Sequence, residues 1–211
     1  MRSDEPFTIA LVGWMHDDTN SAYLAALATL ISTIRTDRAT DNAVTVQLRL
    51  AATHFEMPER MSEPADLLIY GGHSGIGGDS YPYLGTCGDQ SIGLEHLSEL
   101  GISATGIVMD CCRSGHPAFL RELTTCLRED AAALVCNQTA HYPYGPIIAP
   151  NLIGSLVAPD VPRHLQPAEM AEHLRVALDL ASRVWPRGKF ERWTVHQLRS
   201  RDAPATVTAD I

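Results

Sequence analysis

Lysine is almost missing from this chain of 211 residues: Lys189 is the only one, and every other basic side chain is arginine. The five cysteines (Cys87, Cys111, Cys112, Cys126, Cys136) contain no C-x-x-C pair, which excludes a zinc ribbon, and their odd number and spacing do not make a secreted disulfide framework. No apolar run of signal-peptide length follows the opening Met1-Arg2-Ser3-Asp4-Glu5-Pro6. No stretch approaches the ~18 uncharged apolar residues that a membrane span needs. The D-x-D-x-D-G spacing of a calcium loop is absent as well. Together these absences point to a reducing cytoplasm, free thiols, no membrane partner, and neither metal nor cofactor. Positive charge is outweighed, 16 basic residues against 25 acidic for a net charge of −9. That balance speaks against non-specific nucleic-acid binding, whose affinity comes mostly from Lys and Arg on phosphates.

What remains is an ordinary globular composition, 45% hydrophobic and 19% charged. A single α/β domain can fill this length and would bury roughly 70% of its unfolded surface, so residues 1–211 read as a single domain. Phe7 to Val12 (FTIALV) is a near-continuous apolar run ending at Gly13, as in a buried parallel strand. Asn20 and Ser21 are candidate N-caps for a helix with Leu24, Leu27, Ile31 and Ile34 on one stripe. Val44 to Leu50 alternates with period two, and a polar loop with two prolines follows from about His54 to Pro64. Leu67 to Tyr70 runs into Gly71, Gly72, Gly75, Gly77 and Gly78; a short helix is expected near Gly93 to Leu100. Gly106 to Met109 reads as a strand that ends in Asp110-Cys111-Cys112-Arg113-Ser114-Gly115. Then come a helix over Pro117 to Arg128, a strand over Ala132 to Cys136, a long helix opened by Pro167, and a last strand over Phe190 to Leu198. The basic stretch from Arg183 to Arg201 reads as a solvated last strand whose Trp185 and Trp193 pack on the sheet, with docking of a partner or nucleic acid as its alternative. Alternating strands and helices imply a parallel sheet covered on both faces, with ligands beyond the carboxyl ends of the strands. Two loops there carry chemistry, 71–78 and 110–116.

Three motifs compete for Gly71-Gly72-His73-Ser74-Gly75-Ile76-Gly77-Gly78. Gly71, Gly75 and Gly77 fit a short-chain dehydrogenase G-x-x-x-G-x-G loop. That chemistry also needs Tyr four residues before Lys, and Trp185 stands four before Lys189. A nucleophile elbow on Ser74 needs Gly on both sides at a spacing of two; Gly72 fits and Ile76 does not, although Ser74, Asp110 and His141 nominally furnish a triad. The third reading makes His73 a general base and Cys112 its nucleophile. A thiol becomes an attacking thiolate near neutral pH only beside an imidazole, and glycines flanking His73 let a substrate backbone approach. Strand ends in one parallel sheet lie about 5 Å apart, so side chains from the two loops can meet.

Tyr70-Gly71-Gly72-His73-Ser74-Gly75 resembles the histidine loop of caspase-like peptidases, and Asp110-Cys111-Cys112-Arg113-Ser114-Gly115 resembles their cysteine loop, closest to metacaspases. Caspases place the histidine about 50 residues before the cysteine; here the separation is 39. The resemblance covers the strand order from about Phe7 to Cys136. It implies a caspase-like three-layer sandwich, with a mostly parallel central sheet flanked by helices. It implies a Cys112–His73 dyad, an oxyanion hole from the backbone N–H groups of Ser74 or Gly75 and of Cys112, and Cys111 as a packing residue. Ser74 departs from the glycine that usually follows the histidine.

The same resemblance bears on specificity. Metacaspases and paracaspases carry Asp two residues before the nucleophile and cut after Arg or Lys; Asp110 stands at that position. A buried carboxylate there would accept a bidentate guanidinium, and Asp17 or Asp18 matches the region of a second acid. The expected partners are a protein or peptide substrate and a separate activator or regulatory protein. Alternatives are a non-catalytic caspase-like binding domain, favoured by Ser74 in place of glycine, and a serine hydrolase using Ser74. His116 is read as solvent-facing at a helix start, and His141, Tyr142 and Tyr144 as possible cleft residues.

Overall fold

The computed structural model describes residues 6–37, 44–78, 81–85, 91–136, 165–184 and 193–200. Cys87, His141, Tyr142, Tyr144, Trp185 and Lys189 lie outside them, as do the side chains of Ile31 and Ile34. In chain order the described elements are β1 (Phe7–Trp14), α1 (Asp18–Asp37), β2 (Val44–Ala51), α2 (Glu56–Ser62), β3 (Ala65–Gly71), β4 (His73–Ile76), β5 (Pro82–Gly85) and β6 (Ser91–Gly93). A 3-10 turn over Leu94–Leu97 follows, then β7 (Ala104–Asp110), α3 (Pro117–Thr125), β8 (Ala131–Cys136), α4 (Pro167–Val184) and β9 (Trp193–Leu198).

The main sheet has the order β2-β1-β3-β7-β8-β9, parallel throughout except for β9, which runs antiparallel to β8. Its central strands read as unbroken apolar runs because both faces are covered. Alternate residues serve opposite layers. Ile9, Leu11, Leu67, Ile69 and Leu134 pack with Leu24 and Leu27 of α1 and Met170 and Leu174 of α4. Ala10, Val12, Leu68, Tyr70 and Met109 pack with Met57 and Met61 of α2, Phe119 and Leu123 of α3, and Leu84 of the small sheet. This gives three layers, helices on one face and helices with a second sheet on the other.

Three local expectations are corrected. The polar stretch 54–64 contains α2: Met57 and Met61, four residues apart, are fully buried, and Pro58 lies in the first turn, where a missing N–H costs little. Residues 71–78 are not a continuous loop, because β4 begins at His73 and pairs antiparallel with β5 in a separate β4-β5-β6 sheet. And α1 is capped by Asp17 rather than Asn20 or Ser21. The Asp17 carboxylate accepts the Asn20 N–H at 3.2 Å, and its carbonyl accepts the Ser21 N–H at 2.8 Å.

Candidate active site

Strand order reverses between β1 and β3. From β1 the chain passes through α1 to β2 on one side, and from β3 it goes on to β7 on the other. Such a switch point opens a crevice beyond the carboxyl ends of the strands, and the candidate residues gather there. The second turn of α1 packs directly onto the strand ends. A side chain at Gly13 would meet Leu24 Cδ1 at 2.5 Å and the Gly71 carbonyl at 2.9 Å. Glycine therefore lets α1 come down beside the site.

His73 opens β4, and its ring is 39% exposed. Its Nε2 lies 3.4 Å from Oδ2 of Asp17, whose side chain is only 3% exposed. Asp17 is held in turn by Asn20, which gives it the backbone N–H and a side-chain Nδ2 donor at 2.8 Å. A carboxylate at the first turn of a helix also faces the positive end of its dipole. The His73 backbone is fixed from below: Trp14 Nε1 donates to the Tyr70 hydroxyl at 2.9 Å, which donates to the His73 carbonyl at 3.1 Å. Trp14 and Tyr70 are both buried, and large polar aromatics in a core need such partners.

Cys112 lies in the turn after β7, partly exposed, whereas Cys111, Cys126 and Cys136 are buried. Arg113 has φ 56°, the only described non-glycine residue in the left-handed region. Ser114, fully buried, anchors the turn. Its hydroxyl donates to a cluster of carbonyls, Met109 at 3.0 Å, Cys111 at 3.2 Å and Cys136 at 3.4 Å, and accepts the Cys136 N–H at 2.8 Å. The Gly115 N–H adds a bond to the Cys136 carbonyl at 2.8 Å. From the opposite side the Ser74 hydroxyl donates to the Cys112 carbonyl, so β4 and the cysteine turn are in direct contact. That bond also bears on the serine-hydrolase alternative: a nucleophilic serine donates to its base, and this one donates to a main-chain carbonyl. Ser74 itself is in strand conformation, outside the left-handed region, so the residue costs no backbone strain. Gly75 follows in β4, with the Tyr83 ring lying over it.

Asp110 is the last residue of β7, paired in register with Gly71 and 1% exposed. Tyr23 of α1 lies beside it. Burial first, and then the charge of Asp110, push the Tyr23 phenol well above its usual pKa. Asp18, the first residue of α1, is exposed and distinct from the Asp17–His73 contact. Burial also pushes the Cys111 thiol far up, in keeping with a packing residue. His116 is the N-cap of α3, its Nδ1 accepting the Ala118 N–H at 3.2 Å, and it is exposed. Trp193 of β9 joins the core. Sequence reasoning missed the Trp14–Tyr70 pair, the Ser114 anchor, Tyr23 beside Asp110, and the contact of Asp17 with His73. The Asp17-x-x-Asn20 spacing after the first strand was the available signal for the last of these, as an N-cap pattern.

Among the described residues no cluster of His, Cys, Asp and Glu is arranged to hold a metal ion, and no helix is long and apolar enough to cross a membrane. No protein-family profile matches the chain, and no curated protein matches it in sequence. Solved structures do match. A secreted C11 cysteine protease from Bacteroides thetaiotaomicron, in complex with an irreversible peptide inhibitor, aligns with a TM-score of 0.53 at 11% identity, over 92% of this chain and 66% of that one. The Arg-specific cysteine proteinase gingipain R (RGPB) aligns with a TM-score of 0.54 at 13% identity, over 94% of this chain and 48% of that one. The chain thus spans about two thirds of the first protein and about half of the second. At such identities the likeness concerns the fold: a mostly parallel sheet flanked by helices, as in caspase-like cysteine proteases.

Proposed function

We propose that this chain is a cysteine endopeptidase in which Cys112 is the nucleophile, His73 the general base and acid, and Asp17 the residue that orients His73, with cleavage after Arg. The observation that carries the reading is the joint contact of three strand ends. Asp17, after β1, holds Nε2 of His73, and Ser74, next to His73, bonds the carbonyl of Cys112 after β7. With Nε2 on the acid, Nδ1 is the nitrogen left to serve the thiol.

The chemistry then follows. Cys112 gives its proton to His73, and Sγ attacks the scissile carbonyl. Backbone N–H groups of Cys112 and of Ser74 or Gly75 receive the oxyanion. As the C–N bond breaks, His73 returns the proton to the leaving amine. Water then adds to the acyl-enzyme, with His73 taking its proton, and the S–C bond breaks to restore the thiol.

For the substrate residue, Asp110 occupies the position that carries Asp in metacaspases, and the similar fold of gingipain R belongs to an Arg-specific proteinase. Asp110 is buried, with its charge acting on Tyr23, and a substrate guanidinium that reached it would gain a bidentate ion pair. A panel of fluorogenic peptides differing in Arg, Lys or Asp before the bond, run with wild type, Cys112→Ala and His73→Ala, tests both parts. Arg cleavage lost in both variants is expected. Preference for Asp over Arg overturns the specificity, and full activity of Cys112→Ala overturns the nucleophile.

A further inference from the structure

Ser74 stands where caspase-like peptidases usually have glycine, and it does something glycine cannot. Its hydroxyl donates to the main-chain carbonyl of Cys112, across 38 residues of sequence. Other bonds of the cysteine turn run to its own strand and to β8, from Ser114 to Met109, Cys111 and Cys136 and from Gly115 to Cys136, and the Gly72 N–H, just before β4, reaches the Asp110 carbonyl at 3.4 Å. Those contacts fix the turn to the sheet. Ser74 adds a bond to the Cys112 peptide from β4, the strand that bears His73.

The bonded peptide is a particular one. Arg113, which follows it, sits at φ 56°, a conformation that costs a non-glycine residue about 1 kcal/mol or more. Because a peptide unit is planar, a donor on the Cys112 oxygen fixes the whole Cys112–Arg113 plane, and with it the Cα from which the thiol projects. The donor is itself held rigidly. Ser74 pairs with Leu84 of β5, and Leu84 is fully buried.

We propose that Ser74 is a positioning residue: its hydroxyl locks the nucleophile turn onto the strand that carries the base, setting the distance between Cys112 and His73. The inference rests on the Cys112–His73 reading above. Where the resemblance leads one to expect glycine, this chain carries a side chain that ties its two proposed catalytic segments together.

The test uses Ser74→Ala, Ser74→Gly and Ser74→Thr, with Cys112→Ala as control. Two quantities are measured: kcat and KM on an Arg fluorogenic peptide, and the rate of Cys112 alkylation by iodoacetamide against pH, read by peptide mass spectrometry. Ser74→Ala and Ser74→Gly are expected to lower kcat about tenfold, with KM within about twofold, and to slow alkylation at pH 7 by a similar factor. Ser74→Thr, which keeps the hydroxyl, stays within about threefold of wild type on both. A change confined to thermal stability, with kcat and alkylation unmoved in the Ala and Gly variants, overturns the proposal, as does a Thr variant as impaired as Ala. Wild-type activity in Cys112→Ala instead overturns the underlying dyad. Alkylation needs no substrate turnover, so it decides the matter for any variant that folds, and the Thr variant guards against a loss caused by misfolding alone.

Discussion

Replacing Asp17 by Asn separates two tasks that one carboxylate performs. The side chain caps α1 through the Asn20 N–H and also faces His73 Nε2 at 3.4 Å. Asn is about as good an N-cap as Asp, so Asp17→Asn keeps the helix start and removes the charge. In the proposed acylation step His73 becomes an imidazolium. Two unit charges at that distance attract by about 5 kcal/mol at an effective dielectric of 20 and by about 1 kcal/mol in bulk water. The carboxylate is nearly buried, but the ring is 39% exposed, so solvent screening places the figure between these limits, at about 2–3 kcal/mol. That corresponds to a fall in kcat of roughly 30- to 150-fold. Folding stability should change by less than about 1 kcal/mol, whereas Asp17→Ala loses the cap as well and about 1 kcal/mol with it. The assay is kcat and KM on an Arg peptide, beside urea unfolding of both variants. A kcat within threefold of wild type would refute the orienting role. A raised KM for Arg peptides at unchanged kcat would assign Asp17 to the substrate pocket.

Ser114→Ala removes the buried hydroxyl that serves three carbonyls and the Cys136 N–H. A loss of about 2–3 kcal/mol is expected, seen as a Tm lowered by about 5–10 °C in a thermal melt; a Tm within 2 °C of wild type would contradict it. Tyr70→Phe breaks the link from Trp14 to the His73 carbonyl and leaves a buried indole N–H without its acceptor. It should cost about 1–3 kcal/mol by urea unfolding and lower kcat severalfold. Alkaline stability has a defined sign: burial pushes the Cys126 thiol up from 9.0 to about 11. Below pH 9 both folded and unfolded chains keep that proton. Between pH 9 and 11 only the unfolded chain releases it, so stability falls as pH rises, by about 2–3 kcal/mol from this group. The Tyr23 and Tyr70 phenols, both raised by burial, act in the same direction at higher pH. Urea unfolding at pH 8 and 10.5 should show a smaller drop for Cys126→Ala than for wild type, and equal drops would exclude the thiol.

The strands were legible because their covered faces demand unbroken apolar runs, as Phe7 to Val12 and Ala132 to Cys136 show. The two motif segments were legible because glycine around His73 and the Asp110 to Gly115 pattern are local. What escaped is non-local. β4 contains Gly75 and carries no β-branched pattern beyond Ile76; it is a strand because β5 lies beside it. α2 was hidden by Pro58 and three charged residues, and is a helix because Met57 and Met61 find a core. Asp18 and Asp17 are indistinguishable as letters. Only the cap geometry turns one carboxylate inward to His73 and leaves the other in solvent.

The order of strands in space explains why the proposed chemistry sits where it does. β1, β3 and β7 are consecutive neighbours in the sheet, and beyond their ends lie Asp17, His73 and Cys112 respectively. Neighbouring strands stand about 4.8 Å apart, so three side chains from three adjacent ends form a row in which only the middle one can touch both others. A proton relay needs its base in that middle place. Each step along the row is also tied by a side chain: Trp14 to Tyr70 between β1 and β3, Ser74 to Cys112 between β4 and the turn after β7, and Ser114 to Cys136 between that turn and β8. Moving the acid to β8 would leave it next to the nucleophile and out of reach of the base. An acid that is to touch the base and not the nucleophile therefore belongs after β1, where Asp17, the buried one of the two aspartates there, lies 3.4 Å from His73.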